Sequence, residues 1–447
     1  MSASRSPQAP SLLALNTYAG GAAALDATES RLVERRRATF GDAVPLFYAQ
    51  PLNIVRAEGV WLFDHEGRRY LDAYNNVPSV GHCHPRVVQA IAQQAARLNT
   101  HTRYLSAVVS DYAERLLATF APPLSRVLFT SSGTESVDLA LRMARYHTGG
   151  SGFVVTRFAY HGHSMAAAEI TPAFGPGVAL GAHVRCVAPP DTLREGPGAG
   201  ARFARDIAAA IADLQRHGIG FAALILDSIL SSDGVFADPA GFLGPAVAAA
   251  RNGGGLYIAD EVQPGFGRTG AGMWGFARHG VAPDIVVMGK PMGNGMPIAA
   301  AVTSPDILAS LSSRTGYFNT FGGNTVSCAA AAAVLDVLAD EDLIANAAGV
   351  GAHLRHGLAG LQARFAAIGE VRGAGLFVAA DIVEHDGAWT PDTAMALRIV
   401  DGLRARGILI STCGAAGNVL KIRPPLPFSR ENADQLVEAV EAVLAGP

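Results

Sequence analysis

The chain has 447 residues, 49% of them hydrophobic and 16% charged, with a formal net charge of −3. That composition supplies a large core and excludes a disordered chain. With no basic block and no basic–aromatic alternation, it also argues against nucleic acid as the partner.

The first thirty or so residues, rich in Ala, Ser, Gly and Pro, read as a mobile arm. Their short apolar run is too brief for a signal peptide or membrane span, so no membrane partner is expected. Gly59–Tyr74 alternates apolar and polar residues around a Glu-Gly turn, the pattern of a β-hairpin. His84–Asn99 has helical spacing with Pro85 at its start. From Arg126 the pattern is strand, turn, helix, repeated. Strands are predicted at Arg126–Thr130, Gly152–Thr156, Phe221–Asp227, Gly255–Asp260 and Asp284–Gly289, and helices at Thr134–His147 and Arg202–Gly218. This alternation predicts a mostly parallel sheet covered by helices. Beyond Thr325 come two long helical patterns, the segment Val371–Ile382, a further helix, two short strands (GILIS and VLKIRP) and a final helix from about Ser429. That is an α+β unit. Cys83, Cys186, Cys328 and Cys413 show no CxxC and no metal-ligand spacing, so reduced thiols in a cytoplasmic protein are expected.

Only two lysines occur in the chain, Lys290 and Lys421; every other fixed side-chain cation is arginine. A desolvated lysine amine can lose its proton and act as a nucleophile, which arginine cannot. Lys290 lies just past the strand pattern DIVVM, in MGKPMGNG. SSGTES (Ser131–Ser136) joins a strand to a helix, where Gly133 permits close backbone approach and the helix N-terminus suits a phosphate. YIADEV places Asp260 and Glu261 at the C-terminal end of a strand, the edge where ligands of α/β sheets bind. Each feature alone has an ordinary reading, as an N-cap, a solvated turn acid or chance composition. No histidine or third carboxylate completes a metal set, so no metal is expected. Together, a phosphate site, a strand-end aspartate and a strand-end lysine fit pyridoxal phosphate, held as a lysine Schiff base with an acid on its pyridinium nitrogen.

SSGTES, YHGHS, ADEVQPGFGRTG, MGKPMGNGMPIAA, NTFGGNTVSCAA and KIRPPL stand in the order and spacing of the class III aminotransferases, and the chain resembles that family from about Pro45 onward. The resemblance implies an α/β fold of the fold-type I class, with a large mostly parallel-sheet domain carrying helices on both faces and a small α+β domain. Residues 1–70 would form the N-terminal arm and part of the small domain, 71–325 the large cofactor-binding domain, and 326–447 the C-terminal small domain. It further implies that Lys290 is the Schiff-base lysine and proton carrier and that Asp260 is the pyridinium partner. Val262 would pack behind the ring, Gln263 would reach the ring hydroxyl, and Tyr160 would stack on the ring with His161 beside it. Gly133 and Thr134 would supply the backbone phosphate cradle, and Thr320 would reach the phosphate of a neighbouring subunit. Arg423 would hold a substrate carboxylate. Tyr48, with Tyr18, Phe47 and Trp61, is a candidate pocket wall, and core packing is the other reading, expected for at least two of the four. The implied activity is amino-group transfer from an amine or amino acid to a keto acid or aldehyde, by a homodimer, or a dimer of dimers, with shared sites.

Two features qualify the likeness. Leu230 replaces a residue that is polar in the family, and Ser232 stands where some members carry a glutamate gating the carboxylate-binding arginine. YNNVPSVGHCHP, NTHTRYL and NVLKIRPPLPFSRENA resemble the branch containing ethanolamine-phosphate phospho-lyase. A phospho-lyase acting on a phosphorylated amino alcohol is therefore the alternative activity.

Overall fold

The computed structural model describes residues 11, 14–20 and 25–446. Its centre is a seven-stranded sheet in the spatial order Arg126–Thr130, Ala299–Thr303, Ile285–Met288, Leu256–Asp260, Phe221–Asp227, Gly152–Thr156, Val184–Val187. Ala299–Thr303 runs antiparallel to both of its neighbours, and the other neighbouring pairs are parallel. The inner strands are buried on both faces, which is why they read as continuous apolar runs. Along Phe221–Asp227, Leu224 and Leu226 join the core layer containing the helix Ala199–Arg216. Ala223 and Ile225 point the other way, into the layer containing the helix Gly133–Thr148. The pleat thus places helices on both faces.

Two four-stranded sheets flank this core. In one, the hairpin Trp61–Asp64/Arg69–Asp72 pairs with Ile54–Glu58 on one side and, in parallel, with Ile408–Leu409 from the far end of the chain on the other. The second has the order Ile368–Ala374, Phe377–Ile382, Val419–Ile422, Ser411–Cys413. One face of this second sheet, through Phe377, Ala379, Cys413 and Val419, packs on Ile229, Val235 and Ala237, just beyond a strand end of the large sheet.

The structure differs from the sequence reading at the N-terminus. Residues 1–10 of the expected arm lie outside the described residues, but the described part is built into the fold. Thr17 bridges Phe47, and a helix begins at Ala27, before Ser30. Asp26 caps that helix, accepting from the N–H groups of Thr28 and Glu29, while Glu29 returns a bond to the Asp26 N–H. The Asp26-Ala-Thr-Glu29 spacing is itself a helix-start signal, one that the Ala- and Gly-rich composition around it conceals. The strand Ala299–Thr303 was also not predicted. Three alanines carry little β-propensity, and only its place between two partners makes it a strand.

Candidate active site

Parallel neighbours bring their C-terminal ends to one edge of a sheet, and the chemistry collects there. Asp227 and Asp260 each end a strand and lie side by side in register. Lys290 follows the next strand along, and the helix Gly133–Thr148 starts after the strand Arg126–Thr130. These elements wall a cleft with about 570 Å³ of empty volume, lined by Gly133, Thr134, Tyr160, His161, Asp260, Val262, Gln263 and Lys290, together with Ser132, Gly162, His163 and Asp227.

At the helix N-terminus, Glu135 Oε2 accepts from the Ser131 and Ser132 N–H groups at 2.6 and 3.1 Å. The next two N–H groups, of Gly133 and Thr134, belong to the first helical turn and have no intrahelical acceptor. A side chain at Gly133 would bring its Cβ to 3.1 Å from a methyl of Val262, so glycine lets the helix start close to the strand-end segment.

Asp260 is buried. Its Oδ2 is 2.7 Å from His161 Nδ1, and its Oδ1 accepts from the Val262 N–H at 3.1 Å. His161 Nε2 is sealed from solvent and has no hydrogen-bond partner among the described residues. Tyr160, one residue earlier, is held edge-on against Phe174 at 5.5 Å. Lys290 is solvent-accessible, but it stands in a recess walled by protein. Desolvation in that recess, and secondly the Arg423 charge, draw its amine down to about 8, an effect that water in the open cleft moderates. Burial, then the charge of Asp260, raises the carboxyl of Asp227 above its ordinary range. Asp227 accepts from the N–H groups of Ile229 and Ser231.

Arg423 is buried beside the cleft. Its Nε donates to the Tyr74 carbonyl at 2.9 Å, its Nη1 donates to Gln263 Oε1, and its guanidinium lies over the Tyr74 ring. Gln263 therefore links Arg423 to the cleft. Besides Arg423, two of the anticipated residues, Tyr48 and Thr320, are not in the lining. Tyr48 is a core residue whose hydroxyl donates to the Ile410 carbonyl at 3.1 Å; it borders a neighbouring depression with Phe47 and Tyr74. Thr320 is exposed, beside Asn319, whose amide reaches Glu135. Sequence reasoning missed Asp227, whose signal was its place at a strand end one strand from Asp260. It left Lys421 undecided. That lysine is buried, lies 5.5 Å from the Phe377 ring centroid, and is drawn down to about 7 by burial and then by Arg423.

The residues present suit pyridoxal phosphate. The cleft combines a free amine, a buried carboxylate with a histidine behind it, and two helix N–H groups beside a glycine that no larger residue could replace without displacing Val262. The model of the family described as aminotransferase class-III matches residues 47–444, and the chain belongs to that pyridoxal-phosphate-dependent family. It is 40% identical over 424 residues to an alanine–glyoxylate aminotransferase 2-like protein of Drosophila melanogaster, covering 92% of this chain and 86% of the relative. Among solved structures it resembles a phospholyase from Arthrobacter in complex with phosphoethanolamine, at 46% identity and a TM-score of 0.90, covering 93% of this chain and all of that one. It also resembles a PLP-bound amine transaminase from an uncultivated Pseudomonas species, at 34% identity and a TM-score of 0.81, covering 89% and 95%.

Proposed function

We propose that this protein transfers an amino group from an amine or amino acid to a keto acid or aldehyde. The observation that carries the reading is the meeting, in one cleft, of the accessible Lys290 amine, the Asp260–His161 pair and the first turn of the helix Gly133–Thr148. When bound there, the cofactor supplies an electron sink for the pair left behind when a proton leaves the substrate carbon bearing the amine. Lys290 Nζ takes that proton and returns it, a task suited to an amine near neutral pH. Asp260 would hold the ring nitrogen's proton, and its bond to His161 keeps the carboxylate aimed. Val262 and Tyr160 would confine the ring, Gln263 would meet its hydroxyl, and the Gly133 and Thr134 N–H groups would hold the phosphate. Arg423 orients a substrate carboxylate.

A second reading, phosphate elimination from a phosphorylated amino alcohol, is favoured by the phosphoethanolamine-bound relative and by a feature of this site. Arg423, buried beside the cleft, forms no ion pair among the described residues and so keeps its charge for an anionic group. The deciding experiment mixes holoenzyme with a simple amine and no acceptor, then with phosphoethanolamine, following absorbance and inorganic phosphate. Conversion of the bound cofactor to pyridoxamine phosphate by the simple amine supports amino transfer. Catalytic phosphate release with no such conversion overturns it in favour of the lyase.

The proposal includes a homodimer with composite sites. Thr320 is exposed next to Phe321, close to a face on which Phe318, Tyr104 and Leu105 are also exposed, and this apolar cluster is what a second subunit would cover. Mixing a Thr320 variant with a Lys290 variant tests this, since only shared sites regenerate one undamaged centre per heterodimer. Cytoplasmic location completes the proposal. Four free cysteines suit a reducing compartment, and no helix of the described residues is long and apolar enough to cross a membrane.

A further inference from the structure

Thr134 opens the helix at the head of the cleft, and its hydroxyl points at a different segment from the one its backbone serves. Thr134 Oγ1 accepts from the N–H groups of His163 and Ser164, both at 3.1 Å, and lies 2.9 Å from Ser164 Oγ. Ser164 Oγ in turn donates to Asp138 Oδ1 at 2.8 Å, one turn further along the same helix. With the serine proton committed to Asp138, the threonine proton goes to Ser164 Oγ. A hydroxyl has one proton to donate and two lone pairs to accept with. All three are spent on the segment Tyr160–Ser164, so none remains for a phosphate oxygen.

The segment is also shaped to receive that hydroxyl. Gly162 has φ +139°, where L side chains are strained, and a Cβ there would stand 2.3 Å from Thr134 Oγ1. Contact this close between the loop and the helix requires glycine on one side and a small hydroxyl residue on the other. Two residues before Gly162 is Tyr160, and one before it is His161, which is bonded to Asp260. On the far side of the loop, Thr171 Oγ1 accepts from the His161 N–H at 3.2 Å and has one proton to donate, to the Ala167 carbonyl at 2.7 Å, with the Gly162 carbonyl at 3.1 Å as the more distant acceptor.

We infer that the Thr134 hydroxyl is a clamp: it is a positioning residue that locks the Tyr160–Ser164 loop, and with it the ring-facing Tyr160 and the His161–Asp260 pair, onto the helix whose N-terminus holds the cofactor phosphate. The phosphate end and the ring end of the site are thereby one mechanical unit, and the hydroxyl itself takes no part in holding phosphate. This rests on the placement of the phosphate at the helix N-terminus given above.

The test is binding of the apoprotein to pyridoxal phosphate and, separately, to pyridoxal, which lacks the phosphate. Thr134→Val keeps the side-chain volume, removes the hydroxyl and leaves two amide N–H groups unsatisfied. It is expected to weaken both ligands by a similar factor, roughly tenfold or more, with Thr134→Ser restoring both. Ser164→Ala, which removes a hydroxyl bonded to Thr134 Oγ1 and Asp138 from a residue outside the cleft lining, is expected to weaken both in parallel to a smaller extent, and it decides the matter if the valine variant does not fold. Loss of pyridoxal phosphate binding with pyridoxal binding unchanged, in Thr134→Val, would make the hydroxyl a phosphate ligand and overturn the clamp. So would an unchanged affinity of Ser164→Ala for both ligands. Wild-type protein that binds pyridoxal as tightly as pyridoxal phosphate would instead remove the phosphate placement on which the inference rests.

Discussion

The two lysines of the chain sit in different regions and share an electrostatic setting. Lys290 follows a strand of the large sheet and opens into the cleft; Lys421 lies within the small sheet, buried above Phe377. In both, loss of water and the charge of Arg423 depress the amine, to about 8 and about 7 respectively. A low amine pKa therefore does not mark the nucleophile. Access distinguishes the two: Lys290, the proposed nucleophile, stands where parallel strands end and a ligand can enter, whereas Lys421 is packed on a strand paired on both sides within the small sheet.

The largest expected effect separates the two directly. Lys290→Ala should lower turnover by at least about 10³-fold, because no other accessible amine can carry the substrate proton. Lys421→Met should leave the half-reaction with an uncharged amine nearly intact. Equal loss in both variants, measured by single-turnover absorbance, would break the comparison. Next is Asp260→Asn, expected to cost on the order of 10²-fold in turnover while cofactor is retained, since a neutral side chain no longer holds the ring proton. Full activity in that variant would count against the role of the strand-end carboxylate.

A third prediction concerns Arg423, the charge both lysines feel. Truncating one partner of a desolvated charge pair costs about 2 to 5 kcal/mol, so Arg423→Ala should raise KM for a keto acid by roughly 30-fold or more and barely alter KM for a simple aldehyde. Equal changes for both acceptors would make Arg423 structural. The smallest effect is on pH. Cofactor capture by the apoprotein needs the unprotonated Lys290 amine, so its rate should rise through about pH 8, well below the range of an ordinary lysine. Removing the Arg423 charge relieves repulsion of the ammonium form, raises that midpoint and slows capture at pH 8. Stopped-flow profiles of both proteins check the sign, and a midpoint unmoved or lowered by the substitution would mean that Arg423 does not act on Lys290.

Much of the site was legible because it lies at element boundaries. Lys290, Asp260 and Gly133 each stand where an apolar strand pattern gives way to turn residues, and the C-terminal edge of a parallel sheet gathers such positions whatever the loops do. The bonds among them were not legible. His161 lies 99 residues from Asp260, and Ser164 lies 30 residues from Thr134, so no local periodicity links either pair. Tyr48 shows the same limit: its hydroxyl bonds the Ile410 carbonyl, 362 residues away, and it borders a depression beside the cleft, a placement that no local pattern around position 48 distinguishes from a wall of the cleft itself.

What the amino-acid sequence determines unaided is the alternation of strands and helices, hence the layered sheet, and the residues that end its strands. Apolar periodicity and turn chemistry are local, set by residues within a few positions of one another. Tertiary structure alone decides which ends become neighbours: the register that sets Asp227 beside Asp260, the far-end strand Ile408–Leu409 that pairs with the N-terminal hairpin, and the glycine at 162 that lets a loop close on Thr134. Those outcomes depend on packing between segments tens to hundreds of residues apart, where a hydrogen bond or a close approach is specified by both partners and is written in neither one alone.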